Sequence, residues 1–219
     1  MNDLANIYKK RFTNSGIERR QNVWRALCQH FFSRFVCPTD TVLDIACGYG
    51  EFINNIPAAK KIAIDLNPDS AARLDSAVHF VNSAATDLSQ IADTSVNIAF
   101  TSNFLEHLKD KADILALFKE VRRVLVPGGK ILLLGPNIKY AYREYWDFFD
   151  HYLPLSDTSV GEALVLSGFQ LKEVLPRFLP FTMNNNAPSS DFVIFTYLRL
   201  PFVWRWFGKQ FFIVAQKAS

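Results

Sequence analysis

No run of apolar residues in this 219-residue chain comes near the ~20 that a membrane-spanning helix needs. The longest candidate, Phe192 to Leu198, stops at Arg199, and Pro201, Arg205 and Lys209 follow it. Cysteine is scarce. Cys28, Cys37 and Cys47 are odd in number and lack C-x-x-C spacing, which argues against a disulfide frame or a zinc site and fits reduced thiols in the cytoplasm. The opening residues, MNDLANIYKKRF, are polar and basic and lack the apolar region of a secretory signal. There is no long Lys/Arg stripe and no Asn/Asp-Pro-Pro-Tyr/Phe motif for a flipped base, so no nucleic-acid partner is expected. No metal-ligand cluster stands out, and no metal is expected either.

What is present is material for a core. Apolar residues make up 49% of the chain and charged residues 21%, which excludes a disordered chain, and Phe alone accounts for 20 residues. The length suits one domain. The net charge of +3 conceals a pattern. Residues 1–40 carry seven basic and three acidic groups, residues 41–171 carry 11 and 16, and residues 172–219 carry six and two. A basic periphery around an acidic centre suits an anionic substrate or surface, although solvated charge alone also gives such a pattern.

Five short apolar runs, each bounded by turn signals, read as buried strands: 41–46, 61–65, 79–81, 96–102 and 130–135. Helical spacing appears over 18–36 and again over 110–126, where Ile114, Leu117, Phe118, Val121 and Leu125 share a face. This alternation predicts a parallel sheet covered on both sides. Residues 137–156 are aromatic and irregular. A helix is expected over 158–167, strands over 169–175 and 210–217, and a further helix near 190–207 within the insertion at 176–209.

The informative segment is VLDIACGYGEFI (42–53). Asp44 ends a buried strand, and Gly48 and Gly50 follow where a helix should begin, leaving the main chain open to a ligand. Asp65 ends the second strand, where a carboxylate can accept both hydroxyls of a ribose. A dinucleotide fingerprint, G-x-G-x-x-G, fails because Ile53 holds the third glycine position. Asp44 would also repel a pyrophosphate. That charge suits a cofactor with an ammonium, a sulfonium and no phosphate, as in S-adenosylmethionine.

At this point the chain resembles the class I S-adenosylmethionine-dependent methyltransferases of the type 11/12 group. VLDIACGYG is similar to the family's first motif and IAIDLNPD to its second. SVNIAFTSNFLEHL (95–108) is similar to the stretch after strand four, and LFKEVRRVLVPGGKILLLGPN (117–137) to the entry into strand five. The resemblance implies a Rossmann-like α/β fold, with a seven-stranded, mostly parallel sheet, one antiparallel strand and helices on both faces. It implies that Asp44, Ala46, Gly48 and Gly50 surround the methionine moiety, Asp65 and Leu66 the ribose and adenine edge, and Asn103 the amino-acid end. Ala46 replaces the family's first glycine. Ala84 or Ala85 stands where an acid often meets the adenine amine, which leaves Asp87 or a main-chain contact to serve there. Glu106 and His107 are read as fixing the loop after strand four. The first 40 residues resemble a helical lid, in which Tyr8, Arg11, Phe12 and Arg19 are candidates to cover residues 41–135, the cofactor half.

The second half, 136–219, is where this architecture holds the methyl acceptor. Tyr140, Tyr142, Arg143 and Trp146 are candidate substrate contacts, as ring walls and an anion clamp, and His151 is the candidate general base, oriented by Asp150. An impression of likeness to methyltransferases of polysaccharide and other sugar pathways makes O-methylation of a sugar or glycan precursor the expected activity. N- or O-methylation of another small metabolite, or a non-catalytic cofactor-binding scaffold, are the alternatives. The aromatic stretch 190–207 is expected to pack on the sheet or to make a surface contact, either in a homodimer or at a membrane surface.

Overall fold

The computed structural model describes residues 14–181 and 190–218, with side chains from residue 19. Tyr8, Arg11 and Phe12 lie outside the described residues. Helix α1 (Asn14–His30) leads into β1 (Thr41–Ile45), β2 (Lys60–Asp65), β3 (Val78–Asn82) and β4 (Val96–Ser102). Then come α2 (Lys111–Val124), β5 (Leu125–Pro136), α3 (Asp157–Leu166), β6 (Phe169–Leu175), α4 (Asp191–Arg199), α5 (Pro201–Phe207) and β7 (Gln210–Lys217). The sheet order is β3-β2-β1-β4-β5-β7-β6. β7 runs antiparallel to both neighbours, and the other pairings are parallel.

The period-2 side-chain alternation of the strands divides the interior into two layers. Leu43, Ile45, Ala99, Ile131, Leu133, Phe211 and Ile213 pack on one face against Leu117, Phe118 and Val121 of α2 and Leu164 of α3. Val42, Ile98, Phe100, Leu132, Phe212 and Val214 pack on the other against Leu27 and Phe31, with Ile194, Leu198 and Trp204 from α4 and α5. Central strands buried on both faces explain why these segments read as continuous apolar runs.

All seven expected strands are present, with three departures nearby. β5 starts at Leu125 rather than residue 130, because Leu125 pairs with Val96 and a register shift between Val96 and Ile98 absorbs the Pro-Gly-Gly entry. After Gly50, residues 51–56 form turns, with Asn54 N–H donating to Gly50 O at 3.0 Å, rather than a regular helix. The segment near 190–207 is two helices. Leu200 adopts φ −117° and ψ 72°, and Pro201 opens α5 in the first helical position that suits it.

Candidate cofactor and acceptor site

The strand order reverses between β1 and β4, so the crevice beyond their carboxyl ends is the expected ligand position in an open α/β sheet. β1 delivers Asp44 to this end, β2 delivers Asp65, and the residue after β4 is Asn103. The sequence-based cofactor set therefore converges on one edge of the sheet.

The turn after β1 is held in a left-handed path: φ is 57° at Ala46, 55° at Gly48 and 73° at Gly50. The two glycines serve different ends. A Cβ at Gly48 would meet nothing within 4 Å, whereas one at Gly50 would lie 2.4 Å from Leu74 Cδ2. Gly48 thus opens onto the crevice, whereas a side chain at Gly50 would have to displace Leu74. Gly48, Tyr49, Asp65, Asn67 and Ser70 line a small cleft.

Asp65 organises this cleft. Its Oδ2 accepts the Gly48 N–H and its Oδ1 accepts the Asn67 N–H, each at 2.8 Å. Burial raises its pKa, and these two hydrogen bonds oppose the rise. Asp44 is 3% exposed, and its carboxyl is held well above the ordinary range by burial first, then by the charges of Glu51 and Asp65. Glu51 is buried and pairs with Arg20 of α1 at 2.8 Å. Sequence reasoning passed over Glu51 although it directly follows Gly50. The Cys47 thiol is pushed far up by burial and neighbouring Asp44 and is not a nucleophile at neutral pH.

Asn103 has φ 47°, and its Oδ1 is buried without a hydrogen-bond partner among the described residues; the same holds for Ser70 Oγ in the cleft. Leu66 is exposed beside Asp65. Ala85 is different: its side chain is part of the core beneath the sheet, so only its main chain is available to a ligand. Asp87 is exposed and accepts the Ser89 N–H at 3.1 Å in a local turn.

On the acceptor side, the loop after β5 is tied to the loop after β4. Glu106 O accepts from Tyr152 N–H at 2.8 Å and Leu153 N–H at 3.3 Å. His151 is buried there, stacked on Phe148 and edge-on to Tyr145. The Asp150 carboxylate lies 3.4 Å from His107 Nδ1 and the Asp150 carbonyl 2.8 Å from the same atom, so Asp150 meets His107 of the loop after β4. Tyr142, Arg143 and Trp146 are exposed, with Arg143 over the Tyr142 ring, and Tyr140 is covered by Arg177 at 4.6 Å.

The loops after β4 and β5 also bring together three side chains of ligand type. Glu106, His107 and His151 bring their ligand atoms within 4.8 Å of one another, a grouping hidden by their separation along the chain. Glu106 is 2% exposed, and its carboxyl is pushed up to about 8 by burial and then by the charge of Asp150, against the pull of its own N–H.

Residues 43–133 match the model of a methyltransferase domain family. An uncharacterized 37.1 kDa protein of transposon TN4556 from Streptomyces fradiae is 28% identical over 110 residues, 46% of this chain; the match spans about a third (31%) of that protein. Solved structures with this fold include an S-adenosylmethionine-dependent methyltransferase of Archaeoglobus fulgidus (22% identity, 90% of this chain and 94% of that one, TM-score 0.66). Another comes from Thermotoga maritima (15% identity, 97% and 95%, TM-score 0.67). A third belongs to a complex of the Haloferax volcanii Trm112 methyltransferase activator with a methyltransferase (18% identity, 93% and 92%, TM-score 0.66). Residues 43–133 thus match a methyltransferase domain, and the chain as a whole shares its fold with S-adenosylmethionine-dependent methyltransferases.

Proposed function

We propose that the chain transfers the methyl group of S-adenosylmethionine to a hydroxyl of a sugar or glycan precursor. The observation that carries the cofactor half is the Asp44–Asp65 pair at the carboxyl ends of adjacent strands. Asp44, buried beside other acids, favours a cationic group, and Asp65 has lone pairs left for ribose hydroxyls after accepting two N–H groups. The open space at Gly48 and the Asn103 Oδ1 without a partner suit the methionine portion. These residues fit the cofactor, whose sulfonium supplies an electrophilic methyl when bound.

The reaction is an in-line displacement. The acceptor oxygen bonds to the methyl carbon while the S–CH3 bond breaks, its electron pair stays on sulfur, and S-adenosylhomocysteine leaves. Positioning supplies much of the rate, and a hydroxyl of high pKa also needs activation. We assign that proton to His151, and the exposed rings of Tyr142 and Trp146, with Arg143, support an acceptor that stacks and carries an anionic group. The free cysteines support a cytoplasmic location, and the exposed Phe192, Phe202, Trp206 and Phe207 support a surface contact through 190–207.

Calorimetric titration with S-adenosylmethionine and S-adenosylhomocysteine, with NAD as control, tests the cofactor. Saturable binding of the first two alone is expected, and its absence would end the proposal. An acceptor screen over nucleotide sugars, read by S-adenosylhomocysteine release, then tests the hydroxyl. Turnover only with amines would replace the sugar reading, and binding without any turnover would favour the scaffold.

A further inference from the structure

We propose that Glu106, His107 and His151 form a binding site for a first-row divalent cation, which holds the acceptor hydroxyl for methylation. One carboxylate and two imidazoles are a donor set used by catalytic zinc and iron sites, with coordination positions left open for water or substrate. Bonds of about 2.0–2.2 Å at tetrahedral angles set the ligands of one ion about 3.3–3.6 Å apart. The three ligand atoms lie within 4.8 Å of one another, so side-chain shifts of about 1 Å close the set.

Two further observations point to this use. A carbonyl oxygen only accepts, so His107 Nδ1 donates to Asp150 O at 2.8 Å and the lone pair resides on Nε2. Metal-ligating histidines are commonly oriented in this way, through a main-chain or carboxylate acceptor on the other ring nitrogen. The ligands are also held in place by main chain, since Glu106 O accepts N–H groups from Tyr152 and Leu153 and so fixes the segment that bears His151 against the loop after β4. The loop begins at Asn103, on the cofactor side of the sheet, so the cation sits between the cofactor residues and the aromatic acceptor surface.

The metal site stands on these contacts, while its role toward a hydroxyl rests on the methyl-transfer reading. With the cation bound, His151 is a ligand rather than the base. A hydroxyl on the cation loses its proton to solvent water, because coordination lowers its pKa. The oxygen then forms its bond to the methyl carbon as the S–CH3 bond breaks toward sulfur.

The test uses the full chain, stripped with EDTA and titrated with Co2+ alone, following visible d–d absorption, with Zn2+ titration by calorimetry in parallel. We expect saturation at one equivalent, and at least ~10-fold weaker binding in Glu106→Gln and in His151→Asn, since loss of even an outer partner of a metal ligand costs about 10–100-fold. Either variant suffices if the other fails to fold. No saturable uptake by the unmodified chain, or unchanged uptake in the folded variants, overturns the site. S-adenosylmethionine binding is measured on the same samples. Metal uptake without cofactor binding leaves the site standing and removes only the methyl-transfer role, and full turnover in EDTA returns His151 to the part of general base.

Discussion

Gly48 donates its backbone N–H to the Asp65 carboxylate at 2.8 Å, so the end of β2 holds the shape of the turn that follows β1. The same carboxylate oxygens face the cleft lined by Tyr49, Asn67 and Ser70. One residue therefore shapes the turn after β1 and, in the proposed function, offers acceptors to the ribose. Asp65→Ala strands two part-buried N–H groups, those of Gly48 and Asn67. It is expected to cost about 1–3 kcal/mol of stability, and the lost ribose contacts add at least a ~10-fold drop in cofactor affinity. Thermal unfolding and calorimetry read the two effects separately, and an affinity drop without a stability loss would deny the structural half.

The left-handed turn separates three positions that look alike in the motif. Ala46 sits at φ 57°, where an L-residue pays about 1–2 kcal/mol and glycine pays little beyond its chain entropy. Ala46→Gly is therefore expected to stabilise the chain by about 0.5–1 kcal/mol, seen as a small rise in Tm with cofactor binding retained. Gly50→Ala should do the reverse, since its Cβ would meet Leu74 Cδ2 at 2.4 Å. Gly48→Ala has room for its methyl in the protein alone, so its stability cost should be only the about 1–2 kcal/mol of its left-handed φ of 55°, and its further effect should be weaker cofactor binding. Equal affinity losses at positions 48 and 50 with equal stability losses would contradict this division.

Asp44 makes cofactor binding depend on pH. Its folded pKa is raised, chiefly by burial, so the stability tied to its neutral form is complete below the ordinary carboxylate range and is lost as pH rises through the folded value. A ligand ammonium prefers the ionised carboxylate. Cofactor affinity should therefore increase with pH across that same window above the ordinary carboxylate range, by at most about tenfold per pH unit for one proton released. Asp44→Asn should remove this slope, weaken binding and flatten the loss of stability. Calorimetry in buffers of different ionisation enthalpy would count the proton, and a count of zero would rule Asp44 out as its source.

The strands and the cofactor end were legible because the chemistry there is local. Each of β1, β2, β4 and β5 is an apolar run buried on one or both faces and closed by a turn, with Asp44 one residue before the end of β1 and Asp65 the last residue of β2. The acceptor side was less legible because it is assembled from distant loops. Contacts there cross between loops: the Asp150 carboxylate lies 3.4 Å from His107 Nδ1, and His151 packs against Phe148 and Tyr145. Glu106 and His107, read as loop anchors, do anchor the loop through Glu106 O, and they also meet His151, a meeting set by sheet order rather than by spacing. Nor does composition separate Gly48 from Gly50. Only the position of Leu74 does.

Two tryptophans two residues apart in α5 test how the aromatic stretch is used. Trp204 is 8% exposed, donates Nε1–H to Tyr197 O at 2.9 Å, and lies edge-on to Phe178 with ring centroids 5.0 Å apart. It closes the layer that includes Phe31, Phe212, Ile194 and Leu198. Trp206 is 76% exposed. Trp204→Ala leaves a large cavity and is expected to cost about 3–5 kcal/mol, whereas Trp206→Ala should stay within about 0.5 kcal/mol. Chemical denaturation of the two variants measures this. A large destabilisation by Trp206→Ala that grows with protein concentration would instead place that ring in a contact between copies of the chain, because only an intermolecular interface makes apparent stability depend on concentration.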